Sequence, residues 1–292
     1  MPISASRIPG PSDSPKRTPL SLRADQIPIP SKAQFAVRAK LASEWSEGVA
    51  SAVFHVHSSH SDGTLRLMDI ATIASRCLID AVFMADHDYG IANDIKILED
   101  MRSWARVLAD LCSINLGVEL LTDEGPHLVV YEFRRPFESI PQPGANIEMI
   151  AGWAFDNGHL IQIPHPSPRA QGMNRAEIEK VILLAREKRQ KVLIAGRSAM
   201  VPGIDFSKFI PKCPEAVPIV ESDAHFAQVM PIAAMHFRKS HVSSEGNVDG
   251  QKILDALVCG SEGVDFASHF AEDVLSGMGV VRSFVQRLRR KE

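Results

Sequence analysis

The sequence predicts an α/β fold in which seven short strands, joined by helical connections, close into a barrel rather than an open sheet. Three observations carry that reading. β-branched apolar runs of strand length recur along the chain, amphipathic stretches separate most of them, and histidines and carboxylates gather where the strand runs end. With 292 residues, 45% of them hydrophobic, the chain can bury one large core.

Taken in order, residues 1–31 hold Pro2, Pro9, Pro11, Pro15, Pro19, Pro28 and Pro30 among serines and charges. Such a composition cannot bury enough apolar surface to offset ordering entropy, so a flexible tail is expected. Residues 32–50 are assigned to an N-terminal helix, because Phe35, Ala36, Leu41 and Trp45 recur at roughly helical spacing up to Glu47. The main domain spans 51–270, with parallel strands predicted at 51–57, 80–85, 113–119, 127–132, 159–163, 191–195 and 217–222. Helices are predicted at 66–77, 91–110, 144–157, 174–189 and 250–259, and residues 271–292 form a C-terminal helix that is basic over 280–291. No internal repeat is detected.

Charge and cysteine content narrow the function classes. Lys plus Arg number 32 against 35 for Asp plus Glu, a balance that supplies no global field for nucleic acid or anionic membrane. Cys77, Cys112, Cys213 and Cys259 form no CxxC pair and read as packing residues of a reducing compartment. No run approaches the ~20 apolar residues that span a bilayer, and the N-terminus lacks a secretory apolar region, so a cytoplasmic location without membrane association is expected.

The chemistry lies in a positional pattern. His55 and His57, His87, Glu119, His165, and Asp223 with His225 all fall at or just after the end of a predicted strand, where α/β barrels build their sites. His127 differs in opening a strand. Residues two apart on a strand share a face, so His55 and His57 can reach one metal ion while Asp62 returns from the following turn. On its own an HxH is also how strand-edge surface histidines look. AVFMA ends abruptly in Asp86-His87-Asp88, and charge at the mouth of a buried strand is expensive unless paired or metal-bound. Asp86 is alternatively an acceptor that orients a ligating imidazole. Glu119 closes GVE and has two oxygens with which to bridge cations. Pro164 and Pro166 fix the backbone around His165, and Asp223-Ala224-His225 repeats the two-residue logic.

FHVHSSHSDG, MADHD, GVEL, HLVVY, IPHP and SDAH, in that order over residues 51–230, resemble the PHP (polymerase and histidinol phosphatase) superfamily of metal-dependent phosphoesterases. The resemblance implies a distorted seven-stranded barrel, preceded here by an N-terminal extension, holding up to three divalent cations. One cation would take His55, His57, Glu119 and Asp223; a second Asp62, His87 and His225; a third Glu119, His127 and His165. A hydroxide bridging the metals would attack phosphorus, with Asp223, His225 and His57 as the catalytic candidates. The donors are nitrogen and oxygen without thiolate, so zinc, manganese and iron are all admissible.

Arg197, after a predicted strand in LIAGRSAM, and His60, between His57 and Asp62, are the candidate substrate-binding residues, with Lys208, Arg169 and Arg175 in rim loops. A small phosphate ester, monoester or diester, is the expected substrate, with short oligonucleotides admitted; oligomeric state is open. Two other readings stand beside it. One is a metal-dependent hydrolase of a carboxylic ester, amide or carbamate, and the other a catalytically silent metal-binding module. The stretch after His225, FAQVMPIAAMHFRKSHVSSEGNVDG, departs from the family pattern and reads as a rebuilt loop.

Overall fold

The computed structural model describes Pro28 and residues 32–91, 95–166, 172–200, 204–244, 247–259 and 266–270. Arg169, the C-terminal helix at 271–292 and all of the proline-rich tail but Pro28 lie outside those residues.

Helix α1 (Lys32–Glu44) precedes β1 (Val49–Val56), whose eight residues are all buried, as a strand covered on both faces must be. There follow α2 (Leu67–Arg76), β2 (Ala81–Met84), the two-residue β3 (Asp86–His87), α3 (Asp88–Ile91), α4 (Ile95–Val107), β4 (Ser113–Asn115), β5 (Gly117–Leu121) and β6 (His127–Tyr131). Then come α5 (Ile147–Asp156), β7 (Leu160–Ile163), α6 (Arg175–Glu187), β8 (Val192–Ser198), β9 (Ala216–Glu221), β10 (Ala233–Arg238) and α7 (Lys239–Val242). A small ladder of β11 (Ser243–Ser244) and β12 (Asn247–Val248), α8 (Gly250–Cys259) and β13 (Phe266–Phe270) complete the order.

Local chemistry sets these boundaries. Asn174 starts α6 by accepting the amides of Ala176 and Glu177 at 2.9 and 3.1 Å, and Glu177 accepts the Asn174 amide in return at 2.6 Å. Ile178, Val181, Ile182 and Ala185 then fall on one buried stripe. Asn146 caps α5 through the Met149 amide.

The strands form a five-stranded sheet, β13-β10-β1-β2-β4, and a six-stranded sheet, β3-β5-β6-β7-β8-β9. Two strand lines cross between the sheets, β2 into β3 at Ala85 and β4 into β5 at Leu116. Beyond β9 the chain returns to β1: Ser222 N–H donates to Phe54 O at 2.9 Å, Ala224 N–H to His55 O and His57 N–H to Ala224 O, both at 3.0 Å. Hydrogen bonds therefore pass through the lines β1, β2/β3, β4/β5, β6, β7, β8 and β9 and back to the first. Phe54 and Phe83 stack at 4.3 Å in the core, with Tyr131 edge-on to both.

Three sequence expectations are corrected. β6 runs antiparallel to both neighbours, because the connection Thr122–Pro126, turning at Gly125 with φ +101°, is far too short for a parallel crossover. The single strand expected at 113–119 breaks at Leu116, whose carbonyl accepts the Glu132 amide, and Gly117 then passes so close to Tyr131 and Met84 that a Cβ would lie 2.4 Å from the Tyr131 ring. The segment after His225 is no plain loop: β10 pairs antiparallel with Val49–Ala52 of β1, and β13 extends that edge. Its alternation was masked by the methionines and His236, which are buried core here. Among the described residues no helix is long and apolar enough to cross a membrane.

Candidate metal centre

The histidines and carboxylates converge at one mouth of this circuit. β1 delivers His55 and His57, β3 His87, β5 Glu119, and the turns after β7 and β9 deliver His165, Asp223 and His225. The reversal of β6 explains His127: the first residue of an antiparallel strand lies at the same end as the last residues of its parallel neighbours.

The backbone is strained at this mouth. His55 (φ 65°), His165 (φ 26°) and Asp223 (φ 49°) occupy the left-handed region, which residues with a Cβ seldom adopt. The register of β1 against β2 shifts between Phe54 and Val56, so His55 sits on a bulge that re-aims its ring. Strain of this kind persists where surroundings over-determine it, commonly at functional sites.

Glu119 lies at the centre, 1% exposed. Its Oε2 is 3.3 Å from His55 Nε2, 3.4 Å from His57 Nε2 and 3.3 Å from His87 Nδ1, while its Oε1 is 2.9 Å from His127 Nδ1 and 3.7 Å from His165 Nε2. Asp223 Oδ1 stands 3.6 Å from His55 Nε2, 3.4 Å from His57 Nε2 and 3.6 Å from His225 Nδ1. Asp62 Oδ2 is 3.1 Å from His225 Nε2 and 3.5 Å from His87 Nε2, and Asp62 Oδ1 is 3.5 Å from His57 Nδ1. Two donors about 2.1 Å from one ion at a tetrahedral angle lie about 3.4 Å apart, longer than a good hydrogen bond and close to most of these separations.

The donor set fits cations on a second count. His55 Nε2, both ring nitrogens of His57 and His165 Nδ1 are buried without a hydrogen-bond partner, which is costly unless something else takes their lone pairs. Four groups have donors close enough to hold an ion: His57, Asp62, His87 and His225; His55, His57 and Asp223; His55, His165 and Glu221; and His87, Glu119 and His127. The first is the implied set of Asp62, His87 and His225 with His57 added, and the second is the implied set of His55, His57, Glu119 and Asp223 without Glu119. The third implied set divides, His127 joining Glu119 with His87 while His165 turns toward His55 and Glu221.

Mutual attraction dominates the electrostatics. Burial opposes charge on His55, but Glu119, Asp223 and Glu221 outweigh it and hold its pKa well above the usual imidazole range. His87 and His165 are raised for the same reason, and His225 to about 9, the carboxylates of Asp62 and Asp223 overcoming its burial. His57 goes the other way, to about 4, through burial and the charge on His225. Against their own burial, the surrounding imidazoles depress Glu119, Asp62 and Asp223.

A supporting layer holds the donors. Glu221, inside the strand predicted at 217–222 and not among the candidate ligands, is fully buried. It lies 3.1 Å from His55 Nδ1 and accepts the His165 amide at 2.8 Å and the Gln162 side chain, whose Oε1 in turn accepts the Tyr131 hydroxyl. The signal for it was its position, ending an apolar strand two residues before Asp223. Asp86 accepts from the Ser58 amide, the Ser58 hydroxyl and the Ser61 hydroxyl at 2.6–2.8 Å, so it fastens the loop after the histidine pair rather than orienting an imidazole. Tyr89, also unforeseen, is exposed at the rim with its ring stacked 5.1 Å from His87.

The substrate-binding candidates fall less centrally. His60 is exposed in the turn between His57 and Asp62. Arg197 sits near the end of β8 in register with Val220, and its charge acts on Asp205. Lys208 lies over the Phe209 ring, and Arg175 pairs with Glu179 on an exposed side of α6.

No family model and no curated sequence matches the chain. Solved structures do match its fold. A two-domain protein from Bacteroides vulgatus containing a predicted PHP-like metal-dependent phosphoesterase superposes with a TM-score of 0.57 at 15% identity, over 86% of this chain and 69% of that one. Endonuclease Q in complex with a 27-mer duplex carrying an abasic lesion gives a TM-score of 0.51 at 15% identity, over 74% of this chain and 58% of that one. The fold is PHP-like.

Proposed function

We propose that this chain is a metal-dependent phosphoesterase that hydrolyses a small phosphate ester, monoester or diester, at a centre holding up to three divalent cations. The observation that carries the reading is Glu119, whose two oxygens face five imidazoles, three of which have buried ring nitrogens without a hydrogen-bond partner. Zinc, manganese or iron suits the donors, and a cytoplasmic location suits four cysteines with no CxxC pair. Bound there, divalent cations would supply Lewis-acid charge to the phosphoryl oxygens and bring the pKa of water toward neutrality.

The chain's own part is to hold and to expose. Asp62 is the most open donor, its side chain 43% exposed, with His225 at 17% and Asp223 at 13%, whereas His55 is sealed. Substrate therefore arrives over Asp62, Asp223 and His225, with His57 directly beneath: the His57 and His225 rings stack at 4.1 Å. His60 and Tyr89 flank that opening, and Arg197 is assigned to the phosphate from the side of β8. Asp223, His225 and His57 are thus the groups nearest the reacting phosphoryl.

The deciding experiment screens purified full-length chain, reconstituted with manganese and separately stripped by chelator, against phosphomonoesters, phosphodiesters including short oligonucleotides, and carboxylic esters. Metal-dependent turnover of phosphate esters is expected, with competitive inhibition by inorganic phosphate. Turnover of carboxylic esters alone, or bound metal with no turnover at all, would replace this reading with one of the two others.

A further inference from the structure

We propose that a second pocket, at the base of the β5–β6 hairpin, binds a small organic phosphate independently of the metal centre. The pocket holds about 420 Å³, within the range of small-molecule sites, and is framed by α4, the β4–β5 bend, the chain following β6 and the start of α8. β6 runs from His127 at the metal centre to Tyr131, beside this pocket's Glu132; five residues of strand place the two sites about 17 Å apart.

Its charge identifies the ligand. Arg102, Arg106, Arg134 and Arg135 line it against two carboxylates, Glu132 and Asp249, a formal +2 in a chain whose net charge is −3. Both carboxylates are already engaged. Glu132 accepts the Arg102 guanidinium and the Phe137 amide, and Asp249 accepts the Ser244 hydroxyl and the Gln251 amide. Arg106 is exposed on α4 with no ion pair among the described residues. The Arg134 guanidinium lies 4.0 Å over the Phe133 ring and shares one N–H with Asp255, leaving further donors, and Arg135 is braced by Asn157.

The half-buried Gln251 supplies an independent observation that points to an acceptor on the ligand. Its side-chain nitrogen is buried with no hydrogen-bond partner, in the first turn of the ten-residue α8, where helix amides also favour an anion. Ile114, Leu116, Phe133 and Pro136 give the remaining wall an apolar character. A phosphoryl group facing Arg106, Arg134 and Gln251, with an apolar body against the wall of Ile114, Leu116 and Pro136, satisfies both halves of the lining. Guanidinium forks match phosphate oxygens in geometry as well as charge.

The test titrates the metal-loaded full chain with a nucleoside 5′-phosphonate, whose P–C bond no phosphoesterase cleaves, by calorimetry. Two sites are expected in the unaltered chain. Arg106→Glu, exposed and fold-neutral, should weaken one of them roughly tenfold or more. Gln251→Leu should weaken the same site, and Asp223→Ala should remove only the other. A single site abolished by Asp223→Ala, or two sites untouched by both Arg106→Glu and Gln251→Leu in chains whose circular dichroism is unchanged, overturns the proposal.

Discussion

The two ends of β1 are built on opposite rules. At its start Arg38 reaches in from α1 and donates to Val49 O, Leu78 O, the Ser51 hydroxyl and Asp80, while Asp80 accepts the Ser51 amide and His236 Nδ1 lies 2.9 Å from the Ser51 hydroxyl. These polar groups answer one another. Six residues later the same strand carries His55 in a left-handed conformation, and buried nitrogens of His55 and His57 are left without partners. One end is satisfied within the protein; the other is satisfied only if cations complete it. The difference separates residues that hold the fold from residues that the fold holds.

The largest test of that contrast is Asp223→Ala. Asp223 Oδ1 faces His55, His57 and His225 at 3.4–3.6 Å, so its loss should lower metal content and reduce turnover beyond the roughly 10–100-fold that supporting partners cost. The fold should survive, since the backbone bonds of Ala224 to His55 and His57 are untouched. Metal analysis, turnover and circular dichroism on one preparation check this. Full activity would remove Asp223 from the centre, and global unfolding would show the mouth to be structural after all.

How much of this was legible depends on which interactions carry each feature. Seven of the nine candidate ligands declare themselves by strand-end position, because a polar residue ending an apolar run has to be met by something; His127 opens a strand and Asp62 lies in a turn, and all nine come together. The hairpin reversal at β6 could be read from the short Thr122–Pro126 link and Gly125, yet HLVVY by itself looks the same in either direction. β10 was hidden because both of its faces are covered, so His236 and Met235 break the alternation a half-buried strand would show. Glu221 was not singled out, since sequence gives no means of telling a donor from the group behind it; that distinction is a matter of which side of His55 it stands on. Arg175 failed to join the cluster for the opposite reason. Exposed basic side chains are placed by local pairing and charge, such as Arg175 with Glu179, and not by strand ends.

A smaller effect, confined to the other end of β1, sharpens the comparison. Arg38→Ala removes a guanidinium that is only 21% exposed, leaves the carboxylate of Asp80 with the Ser51 amide, and strands the carbonyls of Val49 and Leu78. A loss of about 2 kcal/mol in denaturant-measured stability is expected, with metal content and turnover per folded molecule unchanged. A loss of bound metal in proportion to stability would mean that the two ends are not independent.

The smallest effect concerns protons, and it also divides the two ends. At the mouth carboxylates hold His225 up to about 9, whereas His159, just before β7 at the opposite end, is pushed down to about 4 by burial and by the charge of Arg135. Its ring sits between Phe137 and Trp153, centroids 4.6 and 5.1 Å away, and its Nδ1 has no partner. In the unfolded chain this imidazole takes up a proton below about 6.5, while the folded chain refuses it until about 4, so the unfolded state binds more protons in that window. Stability from this residue is therefore constant above pH 6.5 and falls as pH drops toward 4, by at most about 2 kcal/mol at pH 5. His159→Phe keeps the aromatic packing and removes the proton, so it should lose less stability than the unaltered chain between pH 7 and pH 5. The metal centre titrates identically in both proteins, and the difference between their denaturation curves isolates His159. Equal losses would mean that the ring is protonated where it lies, and an end that accepts charge so easily would no longer be the opposite of the mouth.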